Sequence, residues 1–378
     1  MSQVPHHAES TGNDDVLYMA VELSARQWKL AFGVGLATPS RGRTIAAGDV
    51  AALQREIAAA QARWGLPASA AVRSCYEAGR DGFWVHRLLE GLGVCNVVVD
   101  SASIEVSRRA RHAKTDRLDA DALLRRLIRS WLGERHGWKV VHVPTREVED
   151  ARHLERTLTM LTGERTRARN RLHGILATHG VRMRLSRAFE TQLSTVTTPE
   201  GQPLPPGVVR RLRVQWRLLQ MIEEERRALR QAQADEARAA ASRAGERVRR
   251  LRQLRGIQVG SAAILAKEVF ARDLRNRRQV GALSGFVPVP YQSGDAAHDQ
   301  GISRAGLKAV RRILVEVAWG WIRWQPDSAL TQWYRARFGP GSGRLRRIGI
   351  VALARKLLIA LWRYSEHGIV PAGARLRA

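Results

Sequence analysis

Acid is scarce in this chain. Against 63 Lys+Arg stand 35 Asp+Glu, a formal net charge of +28 over 378 residues. Such a balance implies a polyanionic partner, because each Lys or Arg that meets a phosphate releases condensed counterions and gains affinity without reading sequence. Nucleic acid is the expected partner. The charge is spread along several segments instead of one juxtamembrane cluster, which argues against an anionic membrane surface. Cysteine is scarcer still: Cys75 and Cys95 are the two, both inside apolar strand-like runs. That count argues against a disulfide framework or a zinc site, and both read as small, reduced core residues of a cytosolic protein. The eleven histidines show no ligand spacing. Long apolar runs are missing too, since Ile348 to Trp362 is interrupted by Arg355-Lys356, and the N-terminus carries no apolar export segment. What is present, 44% hydrophobic residues over this length, suffices for packed cores in two or three domains.

Residues 1–14 form a polar leader expected to be disordered, His6-His7 included. Short β-rich runs follow, Val16 to Glu22, Trp28 to Val34 and Arg43 to Ala47, joined by Gly-, Ser- and Pro-containing turns that suit an antiparallel meander. Asp49 to Trp64 carries Val50, Leu53, Ile57 and Ala60 at helical spacing. A strand at Ala70 to Tyr76, a helix near Phe83 to Leu92 and a strand at Val94 to Val99 come next. Three strands, helix, strand, helix, strand, helix is the order of the ribonuclease-H-like α/β fold.

Within that order four acids stand out. Glu22 closes the first strand, Glu77 closes the fourth, and Asp116 and Asp119 lie in Lys114-Thr-Asp-Arg-Leu-Asp-Ala120. With Thr115 as N-cap, the two aspartates would share one helix face at i and i+3. Acids in a first helical turn can serve the helix dipole alone. Four of them where this fold gathers strand ends and a late helix predict an oxygen-only site for Mg²⁺ or Mn²⁺ acting on phosphates.

From Arg146 to Gly180 a long helix is expected, with Val148, Ala151, Leu154, Leu158, Leu161, Leu172 and Ile175 on its stripe and Arg165, Arg167, Arg169 and Arg171 in its middle. A second runs from about Val208 to Arg249, with Leu212, Trp216, Leu219, Ile222 and Leu229, after the link Pro203-Leu-Pro-Pro-Gly207. Two such stripes make a helical hairpin or coiled coil that packs on itself or on another subunit. The arginines are either phosphate contacts or a solvated face. Leu254-Arg-Gly-Ile-Gln-Val-Gly260 precedes a helical run Ser261 to Phe270, a glycine turn able to offer backbone N–H groups to a phosphate. Leu283 to Gly294 reads as a loop with two prolines and Ser293, and Ser303 as the N-cap of a basic helix, Leu307 to Trp324, bearing Lys308, Arg311 and Arg312.

Taken together, Lys114-Thr-Asp-Arg-Leu-Asp-Ala120, Gln292-Ser-Gly294 and Gly301-Ile-Ser-Arg-Ala-Gly306 resemble the insertion-sequence one-ten transposases, RNA-guided recombinases with an Asp-Glu-Asp-Asp metal site and a catalytic serine. The resemblance runs from about Leu17 to about Trp362 and takes in Ser74-Cys-Tyr-Glu-Ala-Gly79 and Arg255-Gly-Ile257. It implies a ribonuclease-H-like (RuvC-like) metal domain over 15–140, a helical or coiled-coil region over 146–250 and a mostly helical transposase domain over 251–378 with the serine loop. The four metal positions fall on Glu22, Glu77, Asp116 and Asp119, and the nucleophile on Ser293. Glu22 stands where the family has Asp, and Arg255 and Gln258 where it has Pro and a second Gly.

Its further implications are a composite site assembled across subunits of a dimer or tetramer, donor and target DNA as substrates, and a guide (bridge) RNA that supplies specificity by pairing. Action would be at the nucleoid in a bacterial cytoplasm. Ser293 is what would turn a nuclease-like carboxylate site into a recombinase, since a serine hydroxyl near a metal can attack a phosphodiester and keep its bond energy. Two other readings remain: a junction-cutting nuclease that hydrolyses DNA, and a nucleic-acid-binding scaffold weakened by Glu22.

Overall fold

A computed structural model describes residues 15–104, 116–134, 138–239, 242–293 and 296–377, without the side chains of residues 102, 116–118, 293 and 296–300. The polar leader, Thr115 and Gly294 lie outside the described residues. The chain divides into two compact units between Val143 and Pro144.

The first unit opens with β1 (Val16–Leu23), β2 (Gln27–Gly33) and β3 (Arg41–Ala46), then α1 (Val50–Arg63), β4 (Ala71–Glu77), α2 (Trp84–Gly91), β5 (Cys95–Val99) and α3 (Asp116–Trp131). The sheet order is β3-β2-β1-β4-β5, antiparallel from β3 to β1 and parallel from β1 to β5. As the central strand, β1 is buried on both faces. Leu17, Met19 and Val21 join one core with Leu53 of α1 and Leu89 of α2; Tyr18 and Ala20 join another with Leu123, Leu124 and Leu127 of α3. That double burial is why β1 reads as a continuous apolar run, as parallel-sheet strands do. Helix α1 starts where Asp49 Oδ1 accepts from Ala52 N at 2.8 Å. Of the two cysteines, Cys75 is buried as expected but Cys95 is exposed, because it opens β5 at the sheet's end.

The second unit runs α4 (Arg146–Asp150), α5 (His153–Ala177), α6 (Phe189–Leu193), α7 (Pro206–Ala239), α8 (Arg243–Arg252), α9 (Val259–Ile264), a π-helical turn at Leu265–Val269, α10 (Arg277–Leu283), β6 (Pro288–Ser293), β7 (Ala296–Ile302), α11 (Lys308–Trp324), α12 (Ala329–Phe338) and α13 (Gly343–His367). Helices α5 and α7 pack on each other. Their far end closes on Leu172, Leu176, Leu212 and Leu219, with Phe189 of α6 and Trp216 at 4.6 Å between ring centroids. Within this hairpin Arg165 pairs with Glu223, Arg167 with Glu164, and Arg171 Nε donates to Gln215 Oε1 at 2.8 Å. Those three arginines thus have partners within the hairpin, on its exposed or half-exposed faces.

Each expected long helix is broken once. The first breaks at Ala151-Arg152, because Arg152 turns inward: its Nε donates to the Lys267 carbonyl at 3.1 Å and lies 3.7 Å from Glu268. The second ends at Ala239, and Ser242 caps a new helix by accepting from Gly245 N at 3.1 Å. Charge then ties the hairpin base to the π turn. Lys267 Nζ reaches Glu155 Oε1 at 3.3 Å and Glu236 Oε2 at 2.7 Å, Gln233 Nε2 donates to Glu155 Oε2 at 2.6 Å, and Arg156 Nε donates to Glu268 Oε1 at 2.9 Å. Burial raises the Glu155 carboxyl above the ordinary range, against the opposing pull of Lys267. The core of the unit, with Trp321, Leu357 and Leu361 fully buried, lies among α8 to α13.

Three local expectations change. Leu283 to Gly294 is not all loop: Pro288–Ser293 pairs antiparallel with Ala296–Ile302. The prolines are tolerated because the sheet has two strands, both edges, and the register slips between Pro288 and Pro290. Ser303 does not cap α11, whose N-cap position is Leu307. The chain turns first, through Arg304 at φ 54° and Gly306, where a Cβ would come within 2.5 Å of the Leu283 carbonyl. Ser303 instead belongs to the hairpin base: its N–H donates to Val287 O at 2.8 Å and its Oγ to Gly285 O at 3.3 Å. Finally, the N–H groups flanking Gly256 are spent, Arg255 on the Arg375 carbonyl and Ile257 on the Leu254 carbonyl, so that turn offers a phosphate less than its sequence implies.

Candidate functional site

Glu22 and Glu77 sit near the C-terminal ends of neighbouring parallel strands. Ala20 lies opposite Cys75 and Val21 opposite Tyr76, so the two glutamates come next at the same level. Side chains alternate along a strand. Since Ala20 and Cys75 face the α3 side of the sheet, Glu22 and Glu77 share that side, both half-buried.

The direction of α3 then decides where its aspartates go. At the far end of the strands, Gly33 is paired with Tyr18; a methyl on Gly33 would meet Leu124 at 3.3 Å and Ile128 at 3.9 Å. At the same level Arg73 lies 3.9 Å from the ring centroid of Trp131. One step along, Cys75 Sγ meets the Leu123 carbonyl at 3.9 Å. Helix α3 thus runs antiparallel to β1 and β4, with its N-terminus towards the glutamates. From Cys75 to Glu77 is about 6.6 Å of strand, and from Leu123 back to Asp119 about 6 Å of helix. Asp119 therefore reaches the level of Glu77, and Asp116 heads the same helix one turn before it. Asp119 is half-buried; the Asp116 side chain lies outside the described residues.

Glu77 has an electrostatic signature of its own: with burial as the larger cause, its charge pushes the Cys75 thiol far up, leaving it inert. Among the described residues, no three His, Cys, Asp or Glu side chains come together closely enough to hold an ion. Of the quartet predicted from sequence, Glu22, Glu77 and Asp119 therefore lie towards one end of the sheet without closing on a common point, and the Asp116 side chain is outside the described residues. Oxygen-only donors fit a hard divalent cation.

Ser293 ends β6, its backbone opposite Ala296, and its side chain is outside the described residues. It belongs to the second unit. Sequence reading missed the buried Glu155–Lys267 pair and the exposed Glu236 that joins it. A signal existed, in a glutamate and a lysine placed inside otherwise apolar helical faces, but their meeting across 112 positions has no local trace.

No helix among the described residues is long and apolar enough to cross a membrane. Residues 248–333 match the family described as Transposase IS116/IS110/IS902. A putative transposase of Sinorhizobium fredii, y4rJ, is 38% identical over 376 residues, covering 96% of this chain and 94% of that protein. The transposase for insertion sequence element IS1328 of Yersinia enterocolitica is 31% identical over 271 residues, 68% of this chain and 73% of that protein. A probable family 20 transposase of Pseudomonas aeruginosa is 28% identical over 302 residues, 78% of this chain and 83% of that protein. With likeness of that extent along nearly its whole length, the chain belongs to the IS116/IS110/IS902 family of transposases.

Proposed function

We propose that this transposase moves its own element as an RNA-guided, metal-dependent serine recombinase. The observation that carries the reading is the approach of the α3 N-terminus to Glu22 and Glu77 at one end of the sheet. Strand order β3-β2-β1-β4-β5, with its change from antiparallel to parallel pairing at β1, supports a ribonuclease-H-like first unit. In this reading Glu22, Glu77, Asp116 and Asp119 hold Mg²⁺ or Mn²⁺, which when bound neutralises phosphate charge and favours the ionised form of an attacking hydroxyl. Residues 15–140 carry these carboxylates, 146–250 the helical region and 251–378 the serine.

Ser293 Oγ forms a bond to phosphorus while one P–O bond of the DNA strand breaks. The serine proton passes, in net terms, to the departing sugar oxygen. Phosphodiester count is unchanged, so the reverse reaction rejoins strands without ATP. A surface of net charge +28 suits long contacts with DNA and guide RNA, and the absence of a base-reading motif from the sequence fits specificity supplied by RNA pairing. Homo-oligomers with a site shared between subunits complete the scheme.

The test is Ser293→Ala on element-end DNA with the cognate RNA. Wild-type protein is expected to form a denaturant-resistant protein–DNA adduct; the variant should form none and recombine nothing, while binding DNA as before. An adduct that survives the substitution refutes the serine. Metal-dependent cleavage by wild type without any adduct selects hydrolysis instead. Protein without RNA should bind DNA with little preference, and specific recognition of element ends by protein alone would overturn guidance.

A further inference from the structure

The second unit contains a cavity of about 700 Å³ bounded by α10, α12, α13 and the chain just beyond α13. Arg277, Arg278, Arg355, Lys356 and Arg363 line it, and no lining residue is acidic. None of the five forms an ion pair among the described residues, although cations close by in the same unit do, as Arg247 does with Glu366 at 2.8 Å. Five like charges around one space repel each other, a cost that an anion from outside would offset.

Two of the five are held in place. The Arg355 guanidinium lies on Gly281, where a methyl would sit 3.1 Å from both Nε and Nη2. Its Nε is shut off from solvent with no hydrogen-bond partner, a buried donor left open. Lys356 Nζ stands 4.7 Å from the Trp333 ring centroid. Arg277, Arg278 and Arg363 are exposed at the mouth. The wall is apolar, with Leu330 of α12 and Ile359 of α13, and Ile369 stands 57% exposed at the rim, where the left-handed Gly368 turns the chain out of α13. Size, charged mouth and apolar wall match a nucleotide better than a bare phosphate, which would use the mouth alone. A base inside a duplex is stacked and cannot enter; one lifted out can, for an unstacking cost of a few kcal/mol.

We infer that this cavity receives a single nucleotide of a nucleic-acid strand lifted from its stack, its phosphates on Arg277, Arg278 and Arg363 and its base against Leu330 and Ile359. The inference rests on the reading of the chain as an enzyme that handles nucleic-acid strands, and it names where one such strand is opened.

The test is equilibrium binding of duplex DNA with one unpaired 2-aminopurine, of the same duplex fully paired, and of single-stranded RNA carrying 2-aminopurine. With wild-type protein the fluorescence of the unpaired probe should rise several-fold, and whichever arm responds, DNA or RNA, identifies the strand. Arg278→Ala/Arg363→Ala, both exposed positions, should abolish the rise. Affinity for the unpaired probe should fall about tenfold, and the log–log salt slope should shrink by about 1.4 to 1.8 for two lost contacts. Arg363→Lys, which keeps the charge, should restore most of the slope. An undiminished rise in the double variant overturns the inference, as does equal weakening on paired and unpaired duplex, which would make the cations part of a general basic surface. Failure of the Ser293 adduct leaves this readout untouched, whereas wild-type protein that binds no nucleic acid defeats both.

Discussion

The two units treat carboxylates in opposite ways. In the first, Glu22, Glu77 and Asp119 are carried to one end of a sheet, half-buried, by elements that end or begin there. In the second, Glu155 and Glu268 are 2% and 7% exposed and surrounded by Lys267, Arg152 and Arg156. Under the proposed metal-site reading, a cation from outside would join these sheet-end acids. Buried acids interleaved with the chain's own cations are already neutralised, and serve to join helices.

That contrast breaks if Glu77→Gln unfolds the protein. The amide keeps size and shape, so the expected result is an unchanged melting curve and strand cleavage reduced about 10³-fold or more, on the scale of losing a group that stabilises developing charge. Intact cleavage would remove Glu77 from the site. Lys267→Ala should do the reverse, leaving buried Glu155 without its nearest cation at a cost of about 3–5 kcal/mol, read as an earlier thermal transition of the second unit. The pH dependence sharpens it. Because burial sets the folded-state pKa of Glu155 above its unfolded value, the stability contributed by its protonated form is full below the ordinary carboxylate range and is lost as pH rises through the folded value. Removing Lys267 raises that value further, so the deficit of the variant should narrow as pH falls; a deficit that widens would show that Glu155 is not the charge left stranded. The smallest effect belongs to Ser303→Ala, which removes one long hydrogen bond at the hairpin base and should cost about 0.5–1 kcal/mol by denaturant titration, with adduct formation retained.

Much of the first unit was legible because its signals are local. The β-rich run from Val16 and the helical spacing from Asp49 gave strand and helix within a residue or two of their observed limits. Strand ends were marked by the acids themselves. In the second unit locality misled. Proline density concealed β6, since prolines oppose central strands but not a two-stranded edge. Helical spacing ran on through Arg152 and past Ala239, where the breaks follow from an inward arginine and a new serine cap. A serine three residues before Gly306 looked like a cap until the chain's turn at Arg304 assigned it elsewhere.

The sequence by itself determined composition-level physics and element order: a polyanion-binding charge, a β-rich meander followed by alternating helices and strands, four acids at element ends and a serine in a Gly- and Pro-containing segment. These depend on spacing over a few residues, which the chain carries in linear form. Tertiary structure alone decided that α3 runs antiparallel to β1, that Lys267 meets Glu155, and that Arg277 and Arg363 face one cavity. Those relations join positions far apart in the chain, and their energies depend on burial and on which charge ends beside which, quantities that exist only once the helices have packed.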